Sequence, residues 1–279
     1  MKAKKSVLAV ALAVFGLVFG TLTPAQADWK SELVTKGTLI NCIDPEYPPM
    51  EYFSNGTSGK IVGFDAEGAE ALAKALGLKI KQLNTSFDGL IPALNANRCD
   101  IVWTALYLSK KRLAVADGVA YLETGPGIVV KKGNPKKIEN LTFDLCGKRI
   151  AVQAASANEN ILIEQSKKCK LTGDKEISIS SYPKVAETVA ALMNGKVDGI
   201  VETDVACGDI ATKSKGKLEV AGGDFPGDVS FAVYTNKGSA LSAQVRAGVK
   251  KIVKDGTLAK IAKKYNLDPE KLTTEGDPI

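Results

Sequence analysis

The sequence predicts an α/β protein of two lobes, in which short strands alternate with helices. From residue 38 onward, β-rich runs and helix-like patterns follow one another, which is typical of parallel strands with helices on both faces of the sheet. One series of this kind extends to residue 104, and a second begins after residue 127. Two such series indicate two α/β lobes, and residues 28–279 are enough for two domains of ordinary size.

The first series contains three strands, two helices and a short basic helix. Gly77 predicts the end of the first helix, because glycine readily adopts the backbone conformation that closes a helix. Ser109 predicts the start of the basic helix, because its hydroxyl can accept a backbone hydrogen bond. The predicted elements are strand 38–43, helix 65–76, strand 79–83, helix 88–96, strand 101–104 and helix 109–114.

The second series repeats this organisation and is followed by a tail that returns to the first pattern. An extended run at 127–131 opens the series, and Gly195 closes its last helix. Asp255 and Gly256 predict a turn between two amphipathic helices of the tail. The predicted elements are strand 149–153, helix 158–166, strand 177–180, helix 184–193, strand 199–201, strand 231–235, helix 239–253 and helix 258–265.

Residues 1–27 have the pattern of a cleavable secretory signal. Three lysines precede an apolar run at 7–19, and Ala25-Gln26-Ala27 supplies a small-x-small cleavage site. The run is shorter than the roughly 18 apolar residues that a membrane anchor needs. The first cysteine, Cys42, lies far from the cleavage point, so we expect no lipid anchor. These features predict a free protein of the periplasm.

Composition excludes several classes of function. Removing the three signal lysines lowers the formal net charge from +6 to +3, which is too small to indicate nucleic-acid binding. The chain has no histidine, and therefore lacks the commonest general base and the commonest metal ligand. The five cysteines are scattered without a Cys-x-x-Cys pair, so we expect no metal site and no cofactor, and an oxidising compartment favours their pairing.

Short motifs in a fixed order extend over nearly all of the mature chain. Each one alone is weak, and the order carries the information. They are Asp44, Tyr47-Pro48-Pro49, Gly63-Phe64-Asp65, Phe87-Asp88-Gly89, Leu108-Ser109-Lys110-Lys111-Arg112, Asp144-Leu145-Cys146-Gly147-Lys148, Asn194-Gly195-Lys196-Val197-Asp198 and Lys254-Asp255-Gly256-Thr257.

This order resembles the periplasmic solute-binding proteins of polar amino acid ABC transporters, the bacterial extracellular solute-binding proteins of family 3. The resemblance implies a fold like that of the type II periplasmic binding proteins, with a ligand cleft between two α/β lobes. Lobe one would be discontinuous, formed by residues 28–127 and 228–279, and lobe two would contain residues 128–227. Two strands would cross between the lobes, near 124–132 and 222–231.

The resemblance also implies a function. A monomer would close its lobes over one small polar ligand, an amino acid, and deliver it to the permease and ATPase of an ABC transporter in the inner membrane. It would not be an enzyme. Two alternatives stay open: an enzyme of the cyclohexadienyl dehydratase type, which shares this fold, and a periplasmic ligand-sensing module.

Arg112 is the strongest candidate for contact with an anionic ligand group, because Arg can grip a carboxylate through two parallel hydrogen bonds. The chain has only four arginines against 33 lysines. In the resembled family, the arginine that closes a Ser/Thr-x-x-Arg motif holds the α-carboxylate, and residues 109–112 match that motif. The resemblance implies that the Thr104 hydroxyl and the backbone N–H of Ala105 or Tyr107 complete this site, although Tyr107 replaces the usual Ser or Thr.

Two aromatic rings are expected beside the ligand side chain. Tyr47 and Phe87 match positions where the family places rings on either side of that side chain. Such faces bury methylene groups and attract a cationic head by about 0.5–2 kcal/mol. Either ring could instead belong to the hydrophobic core.

The acidic partner of the ligand ammonium is left open between two residues. The family places an Asp five residues after the equivalent of Asp198, where this chain has Thr203. Glu202 and Asp204 flank that position, and we expect only one of them to meet the ammonium. Asp44 would be a second carboxylate, near the ammonium or the ligand side chain.

Ligands of open α/β sheets bind outside the carboxyl ends of the strands. Asp44, Thr104 and Glu202 all lie at such predicted ends. In the second lobe, Ser156 and Ala157 occupy the loop that reaches the ligand carboxylate in the family, although the usual Gly-Thr pair is absent.

The resemblance extends to the cysteines. Relatives that carry Asp-Leu-Cys-Gly-Lys with a later cysteine imply a disulfide between Cys146 and Cys169. A second bridge between Cys42 and Cys99 is possible, since both lie on neighbouring predicted strands of lobe one. Cys207 would then remain as a buried thiol.

Overall fold

Two lobes, each built around a five-stranded sheet, make up the computed structural model, which describes residues 28–221 and 229–279. This arrangement confirms the predicted two-lobe α/β fold. The predicted signal peptide lies outside the described residues, and so do residues 222–228 of the second predicted crossing.

The strands agree with most of the predicted ones and add several. In chain order, the strands of the described residues are β1 (Thr38–Ile43), β2 (Glu46–Tyr47), β3 (Glu51–Phe53), β4 (Ile61–Val62), β5 (Lys79–Asn84), β6 (Ile101–Val102), β7 (Ala116–Thr124), β8 (Pro126–Lys131), β9 (Arg149–Gln153), β10 (Ser178–Tyr182), β11 (Gly199–Thr203), β12 (Leu218–Val220) and β13 (Val229–Asn236).

The helices likewise follow the predicted ones, with α4 longer than expected. They are α1 (Phe64–Ala75), α2 (Leu90–Asn95), α3 (Lys110–Leu113), α4 (Ala157–Leu171), α5 (Val185–Met193), α6 (Asp204–Lys213), α7 (Ala240–Lys254) and α8 (Thr257–Lys264). None of these helices of the described chain is long and apolar enough to cross a membrane.

Both sheets are mixed rather than wholly parallel. The first has the strand order β5-β1-β6-β13-β7 and the second the order β10-β9-β11-β8-β12. In each sheet the first three strands are parallel, as predicted, and the last two run antiparallel to their neighbours. β7 leads into β8 through Gly125 alone, so the chain passes directly from the first sheet into the second.

The core of lobe one is aromatic. Trp103, Tyr121 and Phe231 are fully buried, and the ring centroids of Trp103 and Tyr121 lie 5.1 Å apart. The C-terminal helices α7 and α8 pack against α1 of the same lobe. Gly248 permits the close approach of α7, because a Cβ there would lie only 2.4 Å from a methyl carbon of Leu72.

β7 and α6 are the longest of the elements that carry no sequence prediction. In β7, Asp117 and Gly118 interrupt the apolar pattern that would otherwise indicate a strand. In α6, the first residue is Asp204, which the sequence suggests as a ligand carboxylate rather than as a helix start. Thr203 caps this helix, because its side-chain oxygen accepts the backbone N–H of Ala206 at 3.1 Å.

The cysteines form two disulfides. Cys146 is bonded to Cys169 and Cys42 to Cys99, which confirms the first expected pairing and settles the second. Cys207 is buried and not bonded to another cysteine.

We predict that the longer loop makes the Cys42–Cys99 bridge the more stabilising one. The chain-entropy model gives about 4 kcal/mol for a sequence separation of 57 and about 3 kcal/mol for one of 23. Urea unfolding of the two double Cys→Ala variants measures this order, with Cys207→Ala as the control that removes a thiol but no bridge. Peptide mapping of the non-reduced protein that finds these four thiols unbonded would contradict the prediction.

Candidate functional site

A cavity lies between the lobes, at the carboxyl ends of parallel strands from both sheets. Residues after β1 and β6 contribute from lobe one, and residues at the ends of β9 and β11 contribute from lobe two. The two lobes therefore form one site, at the place where open α/β sheets bind ligands.

Ten of the eleven residues predicted to bind a ligand line this cavity, and Asp204 does not. The ten are Asp44, Tyr47, Phe87, Thr104, Ala105, Tyr107, Arg112, Ser156, Ala157 and Glu202. The sequence reasoning missed six further lining residues, which are Glu46, Glu51, Gln153, Asn158, Val185 and Thr203.

Arg112 reaches the cavity from α3. The hydroxyl of Ser109 accepts the backbone N–H of Arg112 at 3.3 Å and caps this helix, as predicted. One guanidinium nitrogen donates to the Tyr107 carbonyl oxygen at 2.9 Å. Burial lowers the pKa of Arg112, partly offset by Tyr234 and Tyr107, and no carboxylate of the described residues acts on it. The guanidinium thus has donors available for an anion.

Four buried side-chain atoms find no hydrogen-bond partner within the described part of the chain, and all four belong to lining residues. They are Glu51 Oε2, Tyr107 OH, Asn158 Oδ1 and Glu202 Oε1. More than about nine in ten buried polar groups in proteins are hydrogen-bonded, so their grouping around one cavity indicates that a polar ligand or water completes it. Three of the four are carboxyl or amide oxygens.

Glu202 is held at the end of β11 by a contact between the lobes. The Tyr47 hydroxyl donates to Glu202 Oε2 at 3.2 Å and shares a hydrogen bond of 2.6 Å with the Thr203 hydroxyl. Glu202 is only 2% exposed. Burial raises the pKa of its carboxyl to about 7, against the opposing effect of hydrogen bonds from the Tyr47 hydroxyl and from the backbone N–H groups of Thr203 and Gln153.

Asp204 points to the other side of the strand end. Its Oδ1 accepts the Thr124 hydroxyl at 2.5 Å, and its Oδ2 lies 3.1 Å from the Lys271 ammonium. Asp204 therefore joins α6 to the lobe crossing, whereas Glu202 faces the cavity. Glu202 and Asp204 are two residues apart, so a continuous strand would place them on the same face. The start of α6 at Asp204 turns its side chain away from the cavity and separates the two acids that the sequence left unranked.

Asp44 and Glu46 form an acidic end of the cavity. Burial raises the pKa of Asp44 to about 7, the charge of Glu46 and that of Asp88 raise it further, and the charge of Lys184 opposes the rise. The Lys184 ammonium of lobe two lies 2.5 Å from Glu46 Oε1 of lobe one. Glu46 thus has a cation, while Asp44 has no ion-pair partner in the described residues.

Two donors expected for a ligand carboxylate are already used within the protein. The Thr104 hydroxyl donates to Glu51 Oε1 at 2.9 Å and accepts the backbone N–H of Asp44 at 3.0 Å. The backbone N–H of Ala105 donates to Asp65 Oδ2 at 2.5 Å. In this structure the Thr104 hydroxyl and the Ala105 N–H therefore donate to buried carboxyl groups of the protein, and their predicted role at a ligand carboxylate stays a prediction.

The start of α4 offers donors in their place. The Ser156 hydroxyl is the N-cap and accepts the backbone N–H of Glu159 at 3.1 Å. Ala157 and Asn158 are the first helical residues and line the cavity. The first backbone N–H groups of a helix lack intrahelical partners and attract anions, so this end of α4 suits a carboxylate held by Arg112.

Among the described residues, no group of three or more histidine, cysteine, aspartate or glutamate side chains could hold a metal ion. The ring of Phe87 adds an apolar face on the lobe-one side. The cavity thus combines one arginine, the start of a helix, several acceptor oxygens and three aromatic rings, an arrangement suited to a small zwitterion with additional donors.

Known proteins match this chain over most of its length. A family model described as bacterial extracellular solute-binding proteins, family 3, matches residues 39–268. The L-cystine-binding protein TcyJ of Escherichia coli (strain K12) is 28% identical over 231 residues, which cover 82% of this chain and 83% of that protein. ABC transporter arginine-binding protein 1 of the same organism is 31% identical over 199 residues, 71% of this chain and 70% of that protein.

Solved structures of amino acid-binding proteins also resemble this chain. An ancestral arginine-binding protein bound to arginine has a TM-score of 0.73 at 31% identity, covering 82% of this chain and 98% of that one. The ancestral amino acid-binding protein AncCDT-1, described as a precursor of cyclohexadienyl dehydratase, has a TM-score of 0.70 at 29% identity, covering 82% and 95%.

We predict that Glu202→Gln and Asp204→Asn change stability in opposite directions. The folded-state pKa of Glu202 is raised to about 7, so the wild type loses stability as pH rises from about 4.5 to about 7, by up to about 3 kcal/mol, and Glu202→Gln avoids that loss. Asp204→Asn weakens the contacts to Thr124 and Lys271 and is expected to destabilise at the same pH.

Urea unfolding at about pH 8 measures both effects. A Glu202→Gln variant that is less stable than the wild type, or an Asp204→Asn variant that is more stable, would contradict the assignment of the two acids.

Proposed function

This chain belongs to the bacterial extracellular solute-binding proteins of family 3, and we propose that it captures an amino acid with a cationic side chain between its two lobes. The carrying observation is the excess of acceptors in the cavity. Asp44, Glu46, Glu51 and Glu202 line it together with one cationic residue, Arg112. Glu46 already pairs with Lys184, and a ligand with more than one cationic group supplies the partners that Asp44 and Glu202 lack.

Counting charges leads to this ligand class. An α-amino acid places its carboxylate on Arg112 and the start of α4, and its ammonium on Glu202. Lys184 already pairs with Glu46. Asp44 remains, half-buried and without an ion pair, and a side-chain ammonium or guanidinium beside it would restore neutrality and lower its raised pKa.

The similar proteins support a role in which the captured ligand is passed on for transport. Proteins that match most of this chain are named for binding cystine or arginine, and the family consists of extracellular solute-binding proteins. We propose that residues 1–27 direct export to the periplasm, where the monomer passes its ligand to the permease of an ABC transporter.

Closure of the lobes is the physical step in that role. The contacts of Tyr47 with Thr203 and of Glu46 with Lys184 join the lobes directly. A ligand that binds Arg112 of lobe one and Glu202 of lobe two adds affinity that exists only when the lobes are closed. It therefore shifts the population towards the closed form.

One observation favours a second candidate, an enzyme of the dehydratase type. Asp44 and Glu202 have pKa values raised to about 7, and carboxyl groups with such values can act as general acids and bases. AncCDT-1 shows that the fold is compatible with descent towards that activity. Recovery of the bound ligand in unchanged form after long incubation distinguishes capture from catalysis, and its conversion would favour the enzyme.

We predict that L-arginine, L-lysine or L-ornithine binds more tightly than L-glutamine, and that this preference grows with pH. Binding of a cation requires ionised Asp44 and Glu202, whose pKa values are about 7, so affinity for a cationic ligand should rise from about pH 6 to about pH 8, by up to about tenfold for each proton released.

Titration calorimetry of the wild type and of Asp44→Asn measures the effect, with L-cystine included as a further ligand. The variant should lose at least about tenfold in affinity for L-arginine and stay within about threefold for L-glutamine. Tighter binding of L-glutamine by the wild type at every pH would contradict the proposed ligand class.

We predict that Arg112→Ala lowers ligand affinity by at least tenfold, because truncating one member of a buried charge pair costs roughly 2–5 kcal/mol. Arg98→Ala is the matched control, since Arg98 is exposed and does not line the cavity. Calorimetry and melting temperature separate affinity from folding. An Arg112→Ala variant that folds and binds within about threefold of the wild type would remove Arg112 from the site.

A further inference from the structure

Two carboxyl groups lie side by side at the base of the cavity. Glu51 is the first residue of β3 and is 1% exposed, and Asp65, near the start of α1, is fully buried. Each carboxyl group shifts the pKa of the other, so the two groups are near neighbours. Glu51 lines the ligand cavity, whereas Asp65 lies behind it.

The two groups receive very different numbers of hydrogen bonds. Asp65 accepts three, from the Trp103 indole N–H at 3.1 Å, from the Ala105 backbone N–H at 2.5 Å and from the Tyr121 hydroxyl at 2.7 Å. Glu51 accepts one, from the Thr104 hydroxyl on Oε1. Its Oε2 has no partner within residues 28–221 and 229–279.

The charges around Glu51 do not favour a second anion. The titratable groups that face it are Asp65, Asp44 and Tyr121, and none of these is a cation. Two adjacent buried carboxyl groups cannot both be ionised without a large cost. Burial, followed by the charge of Asp65, raises the pKa of Glu51 well above its usual range.

The donor count decides which group keeps the proton. Asp65 has three donors that stabilise an anion, so the proton belongs on Glu51 Oε2. From there it can be donated to Asp65, which gives Oε2 the partner it otherwise lacks.

We propose that Glu51 is a positioning residue that stays a neutral carboxylic acid in the folded protein and fixes the Thr104 hydroxyl as a hydrogen-bond acceptor for the ligand. The hydroxyl proton is held by Glu51 Oε1, and one lone pair is used by the N–H of Asp44. The remaining lone pair accepts an N–H of the ligand ammonium and disfavours a carboxylate. The ligand part of this proposal rests on the proposed function, and the proton assignment does not.

Infrared difference spectroscopy tests the proton directly. At about pH 8, the wild type minus Glu51→Gln should show the C=O stretch of one protonated carboxyl group. Glu67→Gln is the matched control, because Glu67 pairs with Lys264 and the charge and hydrogen bonds of that partner lower its pKa against the effect of burial. Its difference spectrum should show an ionised carboxylate. An ionised carboxylate signal from Glu51 would overturn the proposal.

Ligand binding tests the positioning role. The amide of Glu51→Gln can accept from Thr104 and donate to Asp65, so its affinity for L-arginine should stay within about threefold of the wild type. Glu51→Met can do neither and should lose about tenfold or more. Equal losses in both variants would overturn the positioning role. A wild type that fails to bind L-arginine would instead refute the proposed ligand class, and the infrared result would still decide the proton assignment.

Discussion

Carboxyl groups buried between the lobes without cations constrain this molecule more than any other feature. Removing an ionised group from water costs several kcal/mol unless a partner replaces the lost hydration. Burial raises the pKa values of Asp44 and Glu202 to about 7, while Arg112 faces the same cavity with no carboxylate from the described residues. The protein thus has one unmatched cation, Arg112, and two unmatched acids, Asp44 and Glu202, around the cavity between the lobes. A ligand with one anionic and two cationic groups matches them, and its binding energy is available only when both lobes contribute.

Acids that do not line the cavity show how the same chain compensates a charge when no ligand is involved. Asp65 has three donors, and Asp204 has Thr124 and Lys271. Glu202 differs from these acids, because its Oε1 has no partner in the described structure. Acids with partners inside the protein stabilise the fold, whereas Glu202 is free to bind a ligand. Glu51 belongs to neither group. In our proposal Glu51 is neutral because it keeps a proton on Oε2, which it donates to Asp65. Its Oε1 accepts the hydroxyl proton of Thr104 and thereby orients that hydroxyl.

Much of the fold and of the site could be predicted from the sequence, because local signals determine them. Arg112 was identifiable from the rarity of arginine and from the Ser109 cap, and Glu202 from its position at a strand end. The mixed sheets could not be predicted from local signals, because the antiparallel pairing of β13 with β7 joins residues far apart in the chain. Asn158 looks like any residue in the first turn of a helix until α4 is placed against Arg112. The choice between Glu202 and Asp204 did have a signal, since Thr203 is a good N-cap that makes Asp204 the first residue of a helix.

The most direct test of the proposed site is a crystal structure of the protein with the ligand that it retains when recovered from cells without denaturation. A single small molecule should lie between the lobes, with its α-carboxylate on Arg112 and the first turn of α4, its ammonium on Glu202 and Thr104, and a side-chain cation beside Asp44. A neutral or anionic molecule in the cleft, or a carboxylate bound away from Arg112, would contradict the charge balance from which this function is inferred.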